Sequence, residues 1–140
     1  MSVWMQKNGW KTIAEILTGA CGKLDGMYAE CSADELSAGE RSHEWYALHK
    51  DSVIPVRLHI AESHVDADNK IHFTAFMRES DVPSDADENT CVRCITLVSL
   101  GKHGMHEDRL ICTMDLTTPI KLAEDAYVVL HAGMKLGDIK

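Results

Sequence analysis

Between Thr90 and Leu100 the sequence TCVRCITLVSL places Val92, Ile95, Leu97, Val98 and Leu100 on both sides of a two-residue period, with no Gly or Pro inside. Apolar, mostly β-branched residues on both sides predict a strand covered on both faces. The polar, turn-rich stretches 79–89 (ESDVPSDADEN) and 101–108 (GKHGMHED) bound it, so it is expected to be a central element. Other runs alternate. Ile54, Val56, Leu58 and Ile60 oppose Pro55, Arg57 and His59, and Ile71, Phe73, Ala75 and Met77 oppose His72, Thr74 and Phe76. Each predicts a strand with one wet face. Pro55 cannot donate a ladder hydrogen bond and is expected at an edge or at a strand start. Arg109–Leu116 turns Leu110, Cys112, Met114 and Leu116 inward, and Thr117-Thr118-Pro119 is expected to break it. Shorter candidates are Met27–Cys31 after the Asp25-Gly26 turn, His43–His49, Ile120–Leu122 and Ala126–Ala132.

Helical spacing is convincing only over Asn8–Ala20, where Trp10, Ile13, Ala14, Leu17 and Ala20 recur at three- and four-residue intervals and Gly19 and Gly22 mark the end. Thr12 and Glu15 offer a capping-box start. The segment SADELSAGERS (32–42) reads as loop with at most one helical turn. One helix followed by seven or eight short strands predicts a mainly β protein, an antiparallel β-sandwich of jelly-roll type. Residues 1–22 would form an N-terminal arm and amphipathic helix, and residues 23–140 a single sandwich domain.

Composition narrows the functions. A length of 140 residues suits one core, and a net charge of −8 with scattered basic residues argues against direct nucleic-acid binding. No apolar run approaches a membrane span, and the first ten residues lack the apolar region of a signal peptide, so the protein is expected to be soluble and to stay in the compartment where it is made. Five cysteines without a regular framework suggest reduced thiols packed as small hydrophobes.

Several constellations imitate reactive sites. Cys91 and Cys94 followed by His103 and His106 resemble a Cys2His2 zinc site. An extended Cys94–Leu100 covers roughly 20 Å, which keeps the histidines away, and two packed thiols with two loop histidines is the expected arrangement. Asp85-x-Asp87-x-Asn89 begins like a calcium loop, but Thr90 and Thr96 stand where Gly and Glu are required. His72-x-Thr74 is half of a two-histidine phosphoesterase pattern whose second half is missing, so His72 is read as a surface histidine. A cupin metal motif, a GxSxG elbow and a phosphate-cradling glycine loop are all missing. No cofactor is expected.

The order of features, a short amphipathic helix, LDGMYAEC (24–31), paired strands, an acidic loop, LVSLG (97–101) and the closing unit DRLICTMDLTTPIKLAEDAYVVLHAGMKL (108–136), resembles the small proteins that decorate or cement capsids of tailed bacteriophages. It departs from that pattern at Cys31, where an aromatic residue would be expected, and in the 32–42 segment. The resemblance implies a non-enzymatic jelly-roll protein of the virion, made in the bacterial cytoplasm and seated on the capsid exterior. It would self-associate as a homodimer and bind the major capsid protein. Function would then reside in apolar interface area, for which Trp4, Trp10, Trp45, Tyr46 and Phe76 are candidates, although aromatics also supply core area. Of these, Trp4 is expected in an untethered terminus. The competing expectations are a metal-dependent (cupin-like) or hydrolytic enzyme on a jelly-roll scaffold, and a small ligand-binding module.

Overall fold

The computed structural model describes residues 2–20, 24, 26–99, 109–122 and 128–138. Its strands are β1 (Val3–Met5), β2 (Gly26–Ser32), β3 (Ile54–Val65), β4 (Ile71–Met77), β5 (Cys91–Val98), β6 (Leu110–Lys121) and β7 (Val128–Met134). Two α-helices, α1 (Gly9–Thr18) and α2 (His43–His49), precede β2 and β3 respectively. The seven strands hydrogen-bond in one antiparallel series, β1-β6-β5-β2-β3-β4-β7, and the sheet curls around its core. The fold is therefore mainly β.

Alternation decides which side chains line that core. In register across the sheet, Met27, Ala29 and Cys31 of β2 face Leu97, Ile95 and Val92 on one side and Leu58, Val56 and Ile54 on the other. Phe73, Ala75 and Met77 of β4 continue the same layer toward Ala132 and Leu130 of β7. Strands β2 and β5 are buried on both faces, as the sequence of β5 predicted. The strand β3 bends at a bulge around Ala61: Ile54–Leu58 pair with β2, and His59–Val65 pair with β4. Pro55 opposes Glu30 at the start of β3, before the pairing with β4 begins.

Several sequence expectations are corrected. His43–His49 is the helix α2, not a strand, because the Ser42 hydroxyl accepts from the Trp45 N–H and caps it. The run through Thr117-Thr118-Pro119 does not end β6. Between the pairs Cys94↔Asp115 and Val92↔Ile120 these residues bulge opposite Arg93, where Pro119 owes no ladder hydrogen bond. Helix α1 starts at Gly9 after Asn8, so the Thr12–Glu15 capping box does not form; the Thr12 hydroxyl instead donates back to the Asn8 carbonyl. Its packed face carries Gly9, Thr12, Ile13 and Ile16, leaving Trp10 and Leu17 exposed. A Cβ at Gly9 would collide with the Ile111 carbonyl and the Met5 side chain, so that glycine lets the helix backbone sit directly on β6.

The N-terminus is tethered. Val3 and Met5 pair with Met114 and Cys112 and pack on the core, while Trp4, opposite Thr113, points away from it. Cys31, Cys91, Cys94 and Cys112 are free and buried, the state expected of packed thiols. Among the described residues no helix is long and apolar enough to cross a membrane.

Candidate functional site

On the face turned away from the core, the sheet divides into a covered half on β2, β5 and β6 and an open half on β3, β4 and β7. The covered half is dry: a polar network lies beside a small apolar cluster of Val98 and Leu110 with Tyr28 and Tyr46 packed against it. Glu30 of β2 points outward under the 33–42 segment, and Arg41 descends onto it: Nε donates to both carboxylate oxygens at 3.1 and 3.0 Å, and Nη2 donates at 2.8 Å. The same Nη2 donates to the Ser37 carbonyl at 3.0 Å and lies 3.7 Å from the Cys94 sulfur. Helix α2 closes the lid. The Tyr46 hydroxyl donates to Glu30 Oε2 at 3.1 Å, and the Trp45 ring lies 3.9 Å from the Arg41 guanidinium carbon. Gln6, in the turn between β1 and α1, donates to the Gly39 carbonyl and to Thr113 Oγ1, and its own oxygen accepts the Arg41 N–H.

Burial opposes the charge on Arg41, but the hydrogen bonds and charge of Glu30 outweigh it and hold the guanidinium protonated. Burial, with Glu30 adding to it, pushes the Tyr46 hydroxyl up and the Cys94 thiol up to about 12. Neither is an acid, base or nucleophile at neutral pH. Every buried side-chain polar atom among the described residues has a partner, so this half is a closed structural network.

The open half carries His59, His64, His72 and His131. Reading across β3, β4 and β7, the outward rows are His59, Phe76, Val129; then Glu62, Thr74, His131; then His64, His72, Gly133. His59 stacks on Phe76 with centroids 5.1 Å apart and places Nε2 3.0 Å from Asp81 Oδ2. His64 stacks on His72 at 4.8 Å, and His72 Nδ1 faces His131 Nε2 at 3.3 Å. The remaining ring nitrogens are held as well: His72 Nε2 lies 2.7 Å from Asp66 Oδ2, and His131 Nδ1 lies 3.2 Å from Thr74 Oγ1. Asp66 closes the β3–β4 turn, its other oxygen accepting the N–H groups of Asp68 and Lys70. The His72 hydrogen bond, followed by that of the Lys70 backbone, lowers the Asp66 carboxyl to about 2. Among the described residues, no group of three or more His, Cys, Asp or Glu is arranged to hold a metal ion.

The predicted site residues scatter over the molecule. Trp45 and Tyr46 belong to the lid of the covered half, Phe76 to the histidine face, Trp4 to β1 and Trp10 to α1. Cys94 touches Arg41, while the Cys91 thiol donates to the Asn89 carbonyl at 3.6 Å; His103 and His106 lie outside the described residues. Asp87 Oδ1 accepts from the Asn89 N–H and from the Thr90 hydroxyl, which closes a local turn. Sequence reasoning missed the juxtaposition of His72 with His131. Alternation placed His72 and Thr74 on the wet face, but nothing along the chain says that β7 is their neighbour.

Compared with known protein families, characterised proteins and solved structures, the chain matches none.

Proposed function

We propose that this chain is a structural protein of a tailed-bacteriophage virion, one that decorates or cements the capsid from outside by binding major-capsid subunits and a second copy of itself. In this reading the curled sheet is a jelly-roll-type sandwich, with β3 passing from one layer to the other at its Ala61 bulge. The observation that carries the reading is the exposure of large apolar side chains on the N-terminal unit. Trp4 is 43% exposed, Trp10 53% and Leu17 81%, although β1 and α1 are themselves packed on the sheet. Solvated tryptophans add little to the stability of the free chain, whereas aromatics are the residues that anchor protein interfaces. The net charge of −8 suits a surface that has no need of the packaged genome.

Density-gradient fractionation of particles from the source culture tests this. The chain is expected to travel with intact capsids in a constant ratio to the major capsid subunit. In the Trp4→Ala variant it is expected to be lost from them, with a melting temperature like that of the unaltered protein. Recovery of the chain only from the soluble fraction would overturn the proposal.

A further inference from the structure

The facing ring nitrogens on the open half pose a question of protons. The Asp66 carboxylate, 2.7 Å from His72 Nε2, accepts and does not donate, so in the neutral ring the proton sits on Nε2 and the lone pair of Nδ1 points at His131. Without a ligand, His131 Nε2–H donates into that lone pair and the Thr74 hydroxyl donates to His131 Nδ1, at the 3.3 and 3.2 Å separations seen. The alternative state differs only in where one proton lies. If the His131 proton moves to Nδ1 by exchange with solvent, Thr74 Oγ1 turns to accept it, and two lone pairs then converge across the 3.3 Å gap.

We propose that His72 Nδ1 and His131 Nε2 form a binding site for a divalent transition-metal ion of the zinc class, with water completing the coordination. Two nitrogens bound to zinc at 2.0–2.1 Å and at the tetrahedral angle lie about 3.4 Å apart, which the present gap already matches. Each histidine has its distal nitrogen held by an oxygen, Asp66 for one and Thr74 for the other. That is the outer-shell arrangement that orients metal-bound imidazoles and sets their tautomer. Gly133, opposite His72, leaves room that the Lys70 side chain takes up: a Cβ there would stand 2.7 Å from Lys70 Cε and 3.4 Å from both Lys70 Nζ and His72 Nδ1, so an incoming ion has to displace the flexible lysine. The Lys70 ammonium runs over the same glycine and opposes a cation; the carboxylates of Asp66, on His72, and Glu62, 3.4 Å from His64, offset it. Binding puts the ion where the shared proton lay and moves the His131 proton to its other nitrogen.

Titration of the tag-free chain with Co(II), followed by visible absorption and by competition with zinc, tests the site. The expected result is one ion per chain, with the visible bands of tetrahedral cobalt and no sulfur-to-cobalt charge transfer. Affinity is expected to fall at least tenfold in His72→Ala and in His131→Ala, and by about 10–100-fold in Asp66→Asn. It should stay within twofold in His64→Ala, whose ring stacks on His72 and pairs with Glu62. Long-range proton–nitrogen spectra of the unaltered chain require no variant. Zinc should move the resonances of His72 Nδ1 and His131 Nε2 and leave those of His43 and His49 in place. No saturable binding, a thiolate band, or undiminished affinity in the His72→Ala/His131→Ala double variant would overturn the proposal.

Discussion

The two halves of the outward face hold similar chemistry under opposite conditions. On the covered half a carboxylate, a guanidinium, a phenol and an amide are sealed beneath α2 and the 33–42 segment, with Glu30 1% and Arg41 3% exposed. On the open half carboxylates and imidazoles meet at comparable distances but within reach of water, the His64 and Glu62 side chains being 50% and 68% exposed and those of His72 and Asp66 18% and 33%. Burial converts the first set into structure. A charge removed from water must keep its partner, so Glu30 and Arg41 hold one geometry and bind nothing else. Exposure leaves the second set free to exchange partners at little cost to the fold.

The largest effect expected from this contrast is on the covered half. Glu30→Ala leaves the Arg41 charge buried and unpaired and should cost about 3–5 kcal/mol in a denaturant melt. The double change Glu30→Leu with Arg41→Met removes both charges and should recover much of that loss. A single variant as stable as the parent would mean that water reaches the network and that the two halves do not differ as described. The next largest is Gln6→Ala, which takes one partner each from the Gly39 carbonyl, the Thr113 hydroxyl and the Arg41 N–H. Unsatisfied buried groups cost about 1–3 kcal/mol, and the same melt reads it. On the open half, His64→Ala should change stability by no more than about 0.5 kcal/mol, since its contacts are a solvated stack and a long ion pair.

The open half was the more legible of the two. Strict alternation in Ile71–Met77 and in Ile54–Ile60 gave both strands and put His59, His72, Thr74 and Phe76 on the wet side, because a half-buried strand writes its two faces into the sequence. Partnership between strands is not written there. The pairing of β7 with β4, which brings His131 to His72, is a tertiary choice made across more than fifty residues. The covered half was nearly invisible. Its lid is a seven-residue helix whose Trp45, Tyr46 and His49 carry β-forming bulk, and its only local signal is the Ser42 cap. Its hidden ion pair links Glu30 in a strand to Arg41 in a polar stretch that reads as solvated loop. On α1 the apolar stripe misled: Trp10 and Leu17 look like a buried face, but the close approach allowed by Gly9 turned a different side of the helix to the sheet.

The smallest predicted effect tests whether carboxylates on the open half contribute to stability at all. Asp81 accepts hydrogen bonds from the Arg78 N–H and from His59 Nε2, each at 3.0 Å. The backbone hydrogen bond, followed by the His59 contact, holds its carboxyl below the ordinary value of 3.8 in the folded chain. A group that binds its proton more weakly when folded stabilises the fold while ionised, so the contribution is present above the unfolded value and is lost as pH falls through the folded one. Asp81→Asn keeps an oxygen for the Arg78 N–H but never carries the charge. Its melting temperature should therefore lie slightly below the parent's at pH 6, and the gap should close at pH values under the ordinary carboxylate range. Because Asp81 faces solvent, the gap should also narrow in high salt, whereas the loss caused by Glu30→Ala should hardly respond. A salt-insensitive gap that persists in acid would assign the Asp81 effect to packing and remove this carboxylate from the contrast between the two halves.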